Sequence, residues 1–351
     1  MVEDEAPVAE PSVPDRRATQ AILDSLTKPL GSLGRLEELA LWSAGVQGQA
    51  PPQEFGAVHL VVFAGDHGIA SRGTSAYPSE VTAQMVANLG AGGAAASVLA
   101  DAHGVHVQVV DVSVDSDYAE LAVPATVFAN RIRRGSGCID VEDAMSLAQA
   151  QEAWDLGAGI ADDLIDSGAD LLIPGDMGIG NTTPAAALVA RLTNEPANVV
   201  CGRGTGISDA NWMTKVTVVR NALWRTRELS SSPVPLLAAL GGPDIAAMSG
   251  FLSQGARRRT PAILDGVISC VAGMLVERAS PGAAQWWVAG HRSPEPAQRL
   301  ALDELSLEPI LDMHMRLGEG TGALLVLPVV QSAIALTNRM ATFESAGVSR
   351  A

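Results

Sequence analysis

The sequence has 351 residues, 47% hydrophobic, 18% charged and 4% aromatic, with 35 glycines, a composition that predicts a packed α/β enzyme and excludes disorder over most of its length. A formal charge of −16, from 39 acidic and 23 basic residues, opposes nucleic acid and anionic membrane surfaces; the basic runs RIRR (131–134) and RRR (257–259) are short and read as solvated faces. Cys138, Cys201 and Cys270 suggest neither a disulfide framework nor a Cys-x-x-Cys metal site, and without an apolar run near ~18 residues or a signal peptide the reading is a soluble, cytoplasmic, metal-free protein.

Residues 1–15 (MVEDEAPVAEPSVPD) mix acids and prolines without a hydrophobic period and predict a flexible acidic tail. From Arg16 to Gly48 the pattern is helical, with Leu33, Leu36, Ala40 and Ser43 on one stripe after a possible Ser32 cap. Seven apolar runs follow, each passing into a turn or a helix: 57–64 before GDHG, 169–174 before GDMGIGNTT, 197–201 before GRGTG, 234–240 before GGPD, 261–265 before a helix at Gly266, 285–289 before GHRS and 308–313 before RLGEGTG. Runs that are apolar throughout predict parallel strands covered by helices on both faces, a Rossmann-like α/β sheet. In such a sheet the ligand lies beyond the carboxyl ends of the strands, so the glycine-rich turns should converge on one site. After GRGTG, the spacing of Trp212, Val216, Val219 and Leu223 predicts a helix with those residues on its buried face.

Several of these turns carry chemistry. In GDMGIGNTTPAAAL (175–188) the glycines free the backbone, and Asn181, Thr182 and Thr183 can cap a helix starting near Pro184, whose unpaired N–H groups would attract an anion. Asn181 stands where a nucleotide-triphosphate loop needs lysine, so that class is rejected. GRGTGISD (202–209) departs from the dinucleotide fingerprint but remains a plausible phosphate cradle; Lys215, two turns on, is solvent-facing by default unless a phosphate lies near. RLGEGTG (316–322) sets Glu319 between glycines, where packing has no use for a carboxylate. Apolar walls would raise its proton affinity and suit it to act as a general base; pairing with Arg316 or with backbone amides is the structural alternative. In SAYPSEVTAQMV, Ser75, Tyr77, Gln84 and Met85 offer the mixture expected of a flat heteroaromatic pocket, or of an ordinary capped helix. His67 and His291 read as hydrogen-bonded turn residues, and no G-x-S-x-G elbow of a serine hydrolase is present.

Taken in order, KPLGSLGRLEELA, FAGDHGIASRGTSAYPSEVTAQMV, GDMGIGNTTPAAAL, GRGTG, LDGVIS, AGHRSPEP and RLGEGTGA resemble the nicotinate-nucleotide:5,6-dimethylbenzimidazole phosphoribosyltransferase family of cobalamin biosynthesis, across nearly the whole chain after the tail. The resemblance implies an α/β core over 56–322, a small helical domain from 16–55 with the C-terminal 323–351, a homodimer, and no metal or organic cofactor. It implies phosphoribosyl transfer from nicotinate mononucleotide to dimethylbenzimidazole, with Glu319 accepting the proton of the attacking base. Ser75 and Gln84, with Tyr77, Met85 and Leu317, would bind the base, while Gly178, Asn181, Thr182, Gly204, Thr205, Gly206 and Lys215 would hold the phosphate. Asp265 and Ser293 would lie near the ribose and departing nicotinate, and Asp176 or Asp265 would stabilise positive charge developing on the sugar. Asp176-Met177-Gly178 departs from the Glu-Met-Gly of many members, a carboxylate kept but shortened by one methylene. A different acceptor base, or a non-catalytic nucleotide or sugar-phosphate sensor, are the alternative readings.

Overall fold

Near-continuous apolar character makes Val58–Gly65 the first strand, β1, which is covered on both faces. The computed structural model describes residues 7–204 and 206–349. Before β1 come α1 (Val13–Ser25) and α2 (Arg35–Gln47). The expected Ser32 cap is replaced: α2 starts after Gly34 at φ 54°, and Glu37 reaches back from inside the helix to accept the Leu33 N–H (3.1 Å) while pairing with buried Lys28 (2.8 Å). The tail reading is also corrected from residue 8 onward. Val8 is buried with its N–H on the Pro281 carbonyl, Trp286 Nε1 donates to the Ala9 carbonyl (2.8 Å), and α1 is already helical at Val13.

After β1 the chain passes through α3 (Glu80–Gly90) and α4 (Ala95–His103) to β2 (His106–Ser113), then α5 (Ala125–Phe128), α6 (Leu147–Asp166) and β3 (Leu171–Met177). A helical stretch follows: α7 (Thr182–Thr193), α8 (Ala197–Val200), α9 (Asp209–Arg225), α10 (Pro233–Leu240) and α11 (Pro243–Arg257). The remaining elements are β4 (Ala262–Leu264), α12 (Val267–Ala279), β5 (Trp287–His291), α13 (Pro296–Leu305), β6 (Pro309–Leu311), α14 (Thr321–Arg339) and α15 (Phe343–Ala346). The six strands are parallel in the order β2-β1-β3-β4-β5-β6, so the order reverses between β1 and β3, where such sheets bind ligands.

Two expected strands are helices. The runs 197–201 and 234–240 form α8 and α10; the latter misleads because a short helix buried almost throughout is as uniformly apolar as a central strand. One strand has no such run: β2 lies at the sheet edge with His106, Val107 and Gln108 exposed, so only its second half is apolar.

Leu60 and Phe63, an odd number of positions apart on β1, face opposite sides of the sheet. Phe63 meets Phe251 of α11 edge-on with ring centroids 5.5 Å apart, whereas Leu60 lies against the turn that opens α14. Behind α11, α6 packs so closely that a Cβ at Gly157 would collide with the Ala247 carbonyl, and one at Gly250 with that of Trp154. By length and composition α14 could cross a membrane, yet here it packs against β5 and α2 with Ala323, Leu324, Val326, Leu327 and Val330 buried.

Candidate active site

Beyond the carboxyl ends of β1, β3, β4, β5 and β6 the connecting turns enclose a cavity of about 380 Å³. The turns carrying GDMGIGNTT, Gly204, Gly266, His291 and RLGEGTG all reach it, as expected. The GDHG and GGPD turns do not line it. They meet each other, with His67 Nε2 3.0 Å from Asp244 Oδ2 in a buried pair.

Glu319 lies on the cavity wall with only 3% of its surface exposed, and its φ of 62° continues a left-handed run from Gly318 (85°) to Gly320 (87°). A non-glycine residue in this region is held by its surroundings rather than by preference. The Glu319 N–H donates to the Asp176 carbonyl (3.1 Å), and a Cβ at Gly175 would crowd the Glu319 carbonyl at 2.7 Å. Asp265 holds the other end: its carboxylate accepts the N–H groups of Gly320 (3.1 Å), Gly322 (2.7 Å) and Ala323 (3.1 Å), taking the place of an anion at the start of α14. Asp265 therefore does not line the cavity where the ribose was expected; it faces the backbone behind Glu319. Glu319 Oε2 is buried without a hydrogen-bond partner among the described residues. Burial pushes the Glu319 carboxyl above its ordinary range and the charge of Asp265 adds to this, while a backbone hydrogen bond from Ala96 opposes it. The alternative pairing with Arg316 is not formed, because Arg316 Nη1 donates to the Gly204 carbonyl (2.7 Å).

Asp176 also lines the cavity, and Asn181 Nδ2 donates to its Oδ2 (2.8 Å). Burial pushes the Asp176 carboxyl well up, and Asp265, Asp244 and Glu319 push the same way. Asn181 is spent on this carboxyl and does not cap α7, which begins at Thr182 with no side-chain cap.

Gly178, Asn181, Thr182, Gly204 and Ser293 line the cavity as expected, whereas Gly206 is exposed beside it and Thr205 lies outside the described residues. The default for Lys215 is overturned. It is fully buried, its Nζ donates to Thr182 Oγ1 (2.8 Å), and it stands behind the cavity wall rather than on it. The buried face of α9 is accordingly Lys215, Val218, Val219 and Ala222, rotated from the stripe through Trp212 and Val216.

Ser75, Tyr77, Met85 and Leu317 line the apolar side, but Gln84 is exposed on the outer face of α3 and does not reach the cavity. Thr82 fixes α3 in place by donating to Asp66 Oδ1 (2.6 Å) and accepting the Ile179 N–H (3.1 Å). Sequence reasoning did not assign Thr74, Val81, Gly266–Ile268, His291, Glu295 or Arg316 to the site. The available signal was positional: most of these residues lie within five positions of a strand's carboxyl end, and Arg316 opens a motif already singled out.

Glycine-rich turns and an apolar recess around three buried carboxylates, Asp176, Glu295 and Glu319, suit a group-transfer enzyme, and the family model described as Phosphoribosyltransferase matches residues 8–348. Nicotinate-nucleotide–dimethylbenzimidazole phosphoribosyltransferase of Mycobacterium avium is 54% identical over 98% of this chain and 97% of its own. The Mycobacterium tuberculosis enzyme of the same name is 53% identical over 98% and 94%. The crystal structure of CobT from Thermus thermophilus superposes with a TM-score of 0.90 at 39% identity, covering 96% of this chain and all of that one. The chain belongs to the nicotinate-nucleotide–dimethylbenzimidazole phosphoribosyltransferase family.

Proposed function

We propose that the protein transfers the phosphoribosyl group of nicotinate mononucleotide to 5,6-dimethylbenzimidazole, releasing nicotinate and α-ribazole 5′-phosphate for the lower ligand of cobalamin. The observation that carries this reading is Glu319, a buried carboxylate with a free oxygen, on a cavity whose apolar wall includes Val81, Met85, Met177 and Leu317. The donor's phosphate sits at the Gly178–Thr182 and Gly204 turns, with the Lys215 charge behind Thr182. The base occupies the recess of Tyr77, Met85 and Leu317. One ring nitrogen attacks the anomeric carbon as its other N–H gives a proton to Glu319. The nicotinate ring leaves from a pyridinium nitrogen and needs no proton, so the site requires no strong acid; attack from the opposite face converts a β-riboside into an α-riboside. Much of the acceleration comes from holding both rings and the ribose in line, worth roughly 7–11 kcal/mol. Incubating the purified protein with both substrates is expected to release nicotinate and α-ribazole 5′-phosphate in equal amounts; no release of either would remove the proposal.

The reading extends to a cytoplasmic homodimer acting on small molecules, without nucleic acid or membrane as partner. The charge of −16 speaks against nucleic acid and anionic membranes as partners, and three unpaired cysteines fit a reducing compartment. Light scattering of the eluted protein is expected to give twice the chain mass, and a monomeric mass would refute the dimer.

A further inference from the structure

Glu295, within the motif AGHRSPEP, is a carboxylate on the cavity wall to which the transfer chemistry assigns no role. It occupies the N-cap position of α13, where Ser, Thr, Asp or Asn would cap the helix, yet its side chain makes no cap. It reaches instead across to the GRGTG turn, where Oε1 accepts the Gly204 N–H at 2.8 Å. That turn leaves room for it: a Cβ at Gly202 would collide with the Glu295 carboxylate. Gly204 thus adjoins Lys215 as well as Glu295, since a Cβ there would lie 3.9 Å from Lys215 Nζ. The segment is rigid, with the Ser293 N–H on Gln298 Oε1 (2.6 Å) and Gln298 Nε2 on the His291 carbonyl (2.8 Å).

We propose that Glu295 is a positioning residue for the donor's phosphate: its carboxylate fixes the Gly204 turn and is the counter-charge that keeps the buried Lys215 an ammonium. The proposal rests on the reading above that these turns seat that phosphate. The groups facing Lys215 are the Thr182 hydroxyl from α7, the Cys201 thiol at the end of α8 and Glu295. Burial pushes Cys201 up to about 11, so it stays a neutral thiol, and Glu295 is left as the charge that opposes the desolvation of Lys215. A lysine so placed loses its proton more easily than usual, and would do so at lower pH without its carboxylate. With its proton lost, it no longer attracts phosphate through Thr182.

The substitution E295Q leaves an oxygen for the Gly204 N–H and removes the charge. The expected result is a nicotinate mononucleotide KM raised about tenfold on the alkaline side of the profile, kcat at saturating donor within about twofold of the parent, and the alkaline limb of kcat/KM moved to lower pH. Inorganic phosphate, titrated calorimetrically over the same pH range, weakens in parallel, and this readout stands whether or not the protein releases nicotinate. A wild-type pH profile in E295Q would reduce Glu295 to a structural hydrogen bond, and tighter phosphate binding would make it a competitor of the ligand; either overturns the proposal. If E295Q loses its thermal midpoint, E295D decides: it keeps the charge on a shorter arm, so its alkaline limb stays at the wild-type position even where KM rises. A displaced limb in E295D overturns the proposal as well.

Discussion

Substituting Glu319 with Gln is expected to lower turnover by about 10²-fold or more while the thermal midpoint stays near that of the parent. The two side chains share shape and cost the same at φ 62°, so the left-handed turn survives and only the proton acceptor is lost. The pH profile sharpens the test. A general base acts when ionised, and burial raises the Glu319 carboxyl above the ordinary glutamate range. Activity should therefore fall as pH drops through a value higher than an exposed glutamate shows, and this acidic limb should vanish in the variant. Turnover within a few-fold of the parent, or an acidic limb unchanged in E319Q, would take Glu319 out of the chemistry.

The second large effect is expected at a residue behind the cavity wall. Asp265→Ala leaves the N–H groups of Gly320, Gly322 and Ala323 without their acceptor, and each buried N–H so orphaned costs ~1–3 kcal/mol. The turn that aims Glu319 should loosen. Turnover is expected to fall by at least about 10²-fold together with the thermal midpoint, whereas the donor's affinity, set at the far side of the cavity, changes little. Asp265→Asn should lie between, since its carbonyl oxygen can serve the Gly322 and Ala323 N–H groups but its amide faces that of Gly320. The split between kcat and KM marks positioning: equal loss of donor binding would mean general collapse of the site, and near-normal turnover in D265A would show that Gly175 and Asp176 hold the turn unaided.

Glu319 was legible in the sequence because a carboxylate between glycines has no packing role, and the strands beneath the site were legible because a parallel sheet buried on both faces writes itself as apolar runs. The same signal misread α10, which is short and buried all round, and passed over β2, whose edge position exposes His106 and Gln108. Lys215 could not be placed from helical spacing, since the stripe of large apolar residues pointed about one position away from the buried face. The observed roles of Glu295 and Asp265 were out of reach for a common reason. Each acts on backbone amides of a turn 55 or more positions distant, Gly204 and Gly320 respectively, and a backbone amide leaves no mark in the sequence.

The Thr82 hydroxyl has a consequence for how such a site diversifies. By binding Asp66 and the Ile179 amide together, it ties α3, which carries Val81 and Met85 on the cavity wall, to the glycine-rich loop after β3. With base and phosphate placed as proposed, the spacing between the two halves of the product is a property of the scaffold. Preference for one ring over another can then drift through side chains such as Tyr77, Val81, Met85 and Leu317 while the donor's seat is kept.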